Sequence, residues 1–456
     1  MNRIATRSWI VILLACLLLV GLLFFARDYL LHSGQWVQFT GSPHIYASNQ
    51  LQKGTLVDRN GVMLLEFGTQ KTYAEQSAVR KATLHWVGDR AGNIRPPLIS
   101  EYTLQLCGYN MVNGVYAYGD NAGTLQLTLS AELQAVAMEA LGNRRGVVAV
   151  MNYQTGELLC AVSTPTFDPD KVPDIAGDTT GKYNGVYLNR FIQSAYTPGS
   201  IFKIVTTAAA LEYVPELEGY SFYCEGELRM EGGKVVCTGV HGTQNLEQAF
   251  ANSCNCAYAQ ITQLVGWENL DAYVRELGIT DSLRFDGFVT RSGNFEVESE
   301  DLLNLCWSGI GQHKDLINPC SYLNFVSAVA AEGNGVCPYV VDSVSVGSST
   351  TYQARSASQS QIMSRETAQT LKKLMRNNVI VKYGADNFPG LAVCAKSGTA
   401  ETGTGKSNAL FTGFVDSEQY PLAFIVIIEE GGYGSSACVP VISKVLSACV
   451  EVLDGL

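Results

Sequence analysis

Trp9 to Ala26 reads WIVILLACLLLVGLLFFA, eighteen residues without a charge, and no other stretch of the chain restricts its structure so severely. A run this apolar can place its backbone polar groups in hydrocarbon only as a helix, and eighteen residues are just enough to cross a bilayer core. Arg3 and Arg7 precede it, while Arg27 is offset by Asp28. That small positive-inside bias predicts residues 1–8 in the cytoplasm, one transmembrane anchor over 9–26, and everything beyond on the outer side. A cleaved signal peptide is the weaker reading, because the run is long and FARDYLLHS offers no small-x-small cleavage site.

At 456 residues the chain exceeds one ordinary core, so a large domain and a smaller module are expected. A net charge of −11 argues against a nucleic-acid partner, which would need clustered Lys and Arg. After the anchor, residues 27–140 carry short strand-like runs and glycines, as in KGTLVDRNGVMLLEFG, and read as a small β-rich pedestal. In LQLTLSAELQAVAMEAL the alternation of a strand gives way to helical period at Ser130, a suitable N-cap, which puts the domain boundary near Leu141.

The remainder, 141–456, opens with RGVVAVMNYQTGELLCAVS, a hairpin pattern with Gly156 in its turn. Helices are predicted from Ser200, from about Leu246 to Val265, from Ser364 to Asn377 and from Val439 to Leu453. Strands are predicted in ALFTGFVD and YPLAFIVIIEE, and VGSSTTYQARSASQSQ (346–361) reads as a polar, solvated loop. Helices alternating with hairpins predict an α+β fold around a largely antiparallel sheet. Of thirteen cysteines none forms CxxC; Cys224 and Cys237 flank a GG turn that could pair them in a disulfide, or they are core thiols. The five histidines show no metal-ligand spacing along the chain, so neither a metal nor a cofactor is expected.

Chemistry centres on YTPGSIFKIVTTAAAL, where Ser200 and Lys203 share a helix face and Pro198-Gly199 sets the serine in the first turn, among unpartnered N–H groups. A neutral lysine there can take the serine's proton. Alone, the pair is better read as a capping serine and a snorkelling lysine, because S-x-x-K is common. NSCNC adds Ser253 and Asn255, and CAKSGTAE adds Lys396, Ser397, Gly398 and Thr399.

S-x-x-K, S-x-N and K-S/T-G in this order form the motif set of serine penicillin-recognising enzymes. With GTLVDRNG, LNRFIQSAYTPGSIFKI, SGIGQ and SGTAETGTG, the chain resembles a class B penicillin-binding protein over nearly its whole length. The resemblance implies the penicillin-binding transpeptidase fold, a dimerisation-like N-terminal pedestal, and residence in the bacterial cell membrane. It implies a peptidoglycan D,D-transpeptidase that joins a D-Ala-D-Ala stem-peptide donor to an amine acceptor and is acylated by β-lactams.

Carried over by residue, Ser200 is the nucleophile, Lys203 its base, Ser253 the proton relay and Asn255 the group that orients the substrate amide. Lys396 sets a positive potential, Ser397 and Thr399 hold the substrate carboxylate, and Gly398 lets a strand approach closely. Cys254 is a bystander in this reading, its thiol at most a target for oxidants. The family also implies a separate SEDS-type polytopic glycosyltransferase as partner, because the pedestal is too short to polymerise glycan.

The alternative is a D,D-carboxypeptidase or a β-lactamase-like serine hydrolase, for which Glu300 in EDLLN would activate water; the anchor and pedestal weigh against it. AETGTGKS (400–407) resembles a phosphate-binding loop, but a strand rather than a helix is expected after it.

Overall fold

The computed structural model describes residues 2–39, 41–47, 50–115, 122–297, 301–403 and 405–455. The apolar run lies within one helix, Asn2–Val37, whose membrane-length window is not buried against the rest of the chain. The helix outlasts the run because RDYLLHSGQWV contains no proline, and its last turns are tied to the pedestal. The Tyr29 hydroxyl donates to the Met111 carbonyl at 2.6 Å, and that of Tyr109 to Ser33 Oγ at 2.8 Å.

A six-stranded sheet organises the pedestal, in the order 349–353, 341–346, 123–127, 55–57, 63–66, 72–73, with one parallel pair between 55–57 and 123–127. The GTLVDRNG turn is built on Asp58. Its buried carboxylate accepts from the N–H groups of Asn60 and Val62 at 2.8 Å and from Ala131 N–H at 2.9 Å, fastening the turn to the start of the helix Ala131–Leu141. Ser130 caps that helix, accepting from Leu133 N–H.

Four expectations are corrected here. The pedestal also contains a helix, Ser77–Val87, packed on Ala131–Leu141. The stretch 346–361 is not a loop: Ser349–Gln353 pairs with Val341–Val346, and Ser358–Gln361 pairs with Asn334–Val336. These strands keep most of their side chains in water, so the segment reads polar although its backbone is paired. As a result the pedestal sheet takes two strands from beyond residue 340, and the boundary near 141 separates neither sheets nor cores. The helix expected over 246–265 is two, Leu246–Ala251 and Asn255–Val265.

The second sheet has five antiparallel strands in the order 393–401, 407–415, 422–428, 146–152, 158–164. Both faces are covered. Phe424 and Val426 pack with Ile442 and Leu446 of the helix Gly434–Asp454, while Ile425 and Ile427 join the cluster containing Ile201 and Phe202. Burial on both sides explains the unbroken apolar run LAFIVII. The helix Gly434–Asp454 is also long and apolar enough to cross a membrane, but half of its window is buried on this sheet. On the outer edge of the sheet, Trp86 Nε1 donates to Ala161 O at 2.6 Å and Gln134 Oε1 accepts from Ala161 N–H at 2.8 Å, so side chains satisfy an edge that would otherwise be open. Gly156, in the hairpin turn, has φ +89°.

The segment 400–407 joins two paired strands, Glu401 standing opposite Ser407, as expected of a hairpin and not of a nucleotide loop.

Candidate active site

Ser200 sits on a 3-10 turn, Gly199–Phe202, that runs straight into the helix Lys203–Tyr213. Side chains three apart eclipse in such a turn, so residues 200 and 203 lie one above the other. Pro198 begins the turn and Gly199 takes φ +54°. Gly199 N–H donates to Gly311 O at 2.7 Å, which makes the SGIGQ segment one wall of the turn. The strand Val393–Glu401 forms the other: a Cβ on Gly199 would lie 2.7 Å from Thr399 O, and one on Gly398 would lie 2.9 Å from Pro198 O. The close approach expected of Gly398 is therefore present, and Gly199 shares it.

The S-x-N triplet occupies the break between the helices Leu246–Ala251 and Asn255–Val265. Asn245 starts the first with a capping box, and Ser253 turns the chain at φ +51° after it ends, a conformation costly for a non-glycine residue and frequent at functional sites. Lys203 Nζ donates to Ser253 O at 2.5 Å, to Asn255 Oδ1 at 2.8 Å and to Ser253 Oγ at 3.2 Å. From the opposite strand Lys396 Nζ reaches Ser253 Oγ at 2.9 Å and Ser397 O at 3.0 Å. Two lysines from distant parts of the chain thus converge on one hydroxyl.

Both lysines are buried. Burial lowers Lys203 to about 7, against a smaller upward pull from Cys237, Cys254 and Cys256. Lys396 is held well below the ordinary lysine range, by burial first and by Lys203 second. Low polarity and mutual repulsion therefore disfavour charging both amines together.

Ser200, Ser253, Asn255, Ser397 and Thr399 line a cleft of about 890 Å³ that also contains Trp307, His313 and Tyr433; Lys203, Lys396 and Gly398 lie buried behind it. All eight motif residues thus meet in one place. Sequence reasoning missed the residues that hold them. The Tyr383 hydroxyl is 2.9 Å from both the hydroxyl and the N–H of Ser397, Gln312 Nε2 donates to Thr399 O at 3.5 Å, and Gly434 N–H donates to Thr399 Oγ1 at 3.2 Å. Of these only Gln312 lay in a motif, SGIGQ. Glu300, weighed above as a water-activating base, lies outside the described residues.

Cys224 and Cys237 are free thiols, not a disulfide. Among the described residues one set of metal-ligating side chains converges, Cys224, Cys237, His241 and Cys254, although nothing in their linear spacing suggested it. Cys254 is buried, and its sulfur accepts from Ala257 N–H at 3.4 Å as the cap of the helix Asn255–Val265.

Residues 146–447 match the family described as the penicillin binding protein transpeptidase domain. The chain is 28% identical over 345 residues to peptidoglycan D,D-transpeptidase PbpA of Mycolicibacterium smegmatis, covering 69% of each chain. It is 26% identical over 416 residues to stage V sporulation protein D of Bacillus subtilis, covering 86% of this chain and 60% of that one. Among solved structures, the ceftriaxone acyl-enzyme complex of penicillin-binding protein A from M. tuberculosis superposes with a TM-score of 0.77 at 22% identity, over 87% of this chain and 98% of the other.

Proposed function

The chain belongs to the penicillin-binding protein transpeptidase family, and from that premise we propose that it is a peptidoglycan D,D-transpeptidase whose own residues divide the reaction as follows. Lys203, neutral in a substantial fraction of molecules near neutral pH, takes the proton of Ser200 as the oxygen attacks the penultimate D-Ala carbonyl. The N–H groups of Ser200 and Thr399 stabilise the developing oxyanion. Ser253, held between the two lysines, passes a proton to the departing D-Ala nitrogen. The acyl-serine is then released to the amine of a second stem peptide, the same groups acting in reverse. Ser397 and Thr399 hold the donor's carboxylate, with Lys396 supplying positive potential once that carboxylate has entered, and Asn255 orients the donor amide. β-Lactams enter the same path and acylate Ser200.

The observation that carries this reading is the convergence of Lys203 and Lys396 on Ser253 Oγ behind the cleft that exposes Ser200. Ser200→Ala removes one hydroxyl and no packing. It should abolish covalent labelling by a fluorescent penicillin while leaving the folded protein intact; a labelled band in this variant would refute the assignment.

The apolar helix Asn2–Val37 supports a membrane-anchored protein. The arginines at its start favour an N-terminus in the cytoplasm and residues 27–456 outside, where the pedestal and anchor would meet a SEDS-type glycosyltransferase that supplies the glycan strands.

A further inference from the structure

We propose that Cys224, Cys237, His241 and Cys254 bind one zinc-class metal ion in a closed tetrahedral site beside the catalytic cleft. Their ligand atoms all lie within 4.8 Å of one another. His241 Nδ1 is 3.5 Å from the sulfurs of both Cys224 and Cys237, and the Cys237 and Cys254 sulfurs are 3.7 Å apart. A zinc tetrahedron with Zn–S of about 2.3 Å and Zn–N of about 2.0 Å has S···S edges of about 3.8 Å and S···N edges of about 3.5 Å. The observed separations match those edges. Four protein donors leave no position open for water or substrate, so the role is structural.

The surroundings support it. The ligands come from four separate places: the end of the strand Phe222–Cys224, the residue after the strand Gly233–Val236, the residue before the strand Gly242–Gln244, and the cap of the helix Asn255–Val265. The hairpin of 227–230 and 233–236, inserted between the first two ligands, has little core of its own, since Gly233, Lys234 and Val236 are exposed and Val235 alone of that strand is buried. A metal staple is what such a poorly packed unit needs. Cys224 and Cys254 are buried, while Cys237 and His241 are half-exposed and offer an entry path.

Position gives the site a consequence for catalysis, and this half of the inference rests on the transpeptidase reading. Cys254 lies between Ser253 and Asn255, and Cys237 follows Val236, whose carbonyl accepts from Asn255 Nδ2 at 2.9 Å. An ion joining Cys237 to Cys254 clamps that strand to the S-x-N corner and holds Ser253 at its unfavourable φ of +51°. The four ligands are positioning residues and do not touch substrate.

The test uses the full chain, purified in detergent with a non-chelating reductant. It should retain about one zinc per chain through desalting. Replacement by Co²⁺ should give the thiolate-to-metal charge-transfer absorption and strong visible bands of a tetrahedral sulfur site. In Cys224→Ser and His241→Asn, retained zinc should fall at least about tenfold. A reduced wild-type chain that binds no zinc, or a Co²⁺ complex without sulfur charge transfer, overturns the site; the wild-type titration decides this even where a variant fails to fold. Removing the metal should slow penicillin acylation of Ser200 about tenfold or more, with recovery on adding Zn²⁺. An unchanged rate overturns the positioning role. A zinc-loaded chain that takes up no penicillin upholds the site and refutes the transpeptidase reading.

Discussion

At the residue scale the decisive group is Lys203. An exposed lysine titrates at about 10.4 and is almost wholly charged at neutral pH, useless as a base. Burial brings Lys203 to about 7. Because the neutral amine is the active form, the acylation rate should rise about tenfold per pH unit below 7 and level off above it, a profile measurable by stopped-flow with a chromogenic β-lactam. A rate still climbing steeply at pH 9 would mean that the amine is not lowered as the structure implies. Lys203→Arg keeps the charge but cannot give up its proton, and should cost about 10²–10⁴-fold in acylation. Lys396→Arg should lose much less, since that position requires a positive charge and not a proton acceptor. Burial is the main cause of the shift on Lys203, and the repulsion between the two lysines registers on Lys396.

At the scale of elements, the site depends on a strand and a turn that touch through glycines. Gly398→Ala would put a methyl 2.9 Å from Pro198 O, a backbone atom that cannot rotate away, so the strand must shift off the nucleophile turn. Displacements of about 1 Å at reacting groups cost on the order of 10²-fold, and the acylation rate should fall by a comparable factor with thermal stability nearly unchanged. An alanine variant that acylates normally would show that the contact has slack. In the pedestal, Asp58→Ala strands three backbone N–H groups that its carboxylate now satisfies. It should destabilise the chain by at least about 2 kcal/mol in denaturant titration, because unpaired buried donors are costly.

At the scale of the whole molecule, anchor and catalysis should separate. A chain lacking residues 1–26 keeps the pedestal contacts of Tyr29 and Ser33, and should be acylated by penicillin at nearly the full rate while failing to support wall growth in the cell. Full complementation by this secreted form would show that confinement to the membrane is not required. The pedestal should not survive the complementary cut. Two of its six strands lie at 341–353, so residues 27–140 expressed alone should be unfolded by circular dichroism.

What the sequence determined by itself was local. The membrane-length helix follows from eighteen uncharged residues, the hairpin over 146–164 from its two β-rich runs around a turn with Gly156, the caps at Ser130 and Ser364 from side chains that accept their own N3 N–H groups, and the three motifs from residue types at fixed spacing. Tertiary structure decided what required chain segments far apart to meet. It split the helix at Ser253, because the triplet must face two lysines that periodicity cannot see. It placed 349–353 in the pedestal sheet, since main-chain pairing is indifferent to the polar side chains that made the segment look like a loop. It brought Tyr383 to Ser397 and gathered three cysteines and a histidine spread over 224–254, a C-x12-C-x3-H-x12-C pattern with no linear metal signature. Burial, which lowers Lys203, is likewise a property of packing: a lysine in an alanine-rich helix becomes a base only when a sheet and a second helix close over it.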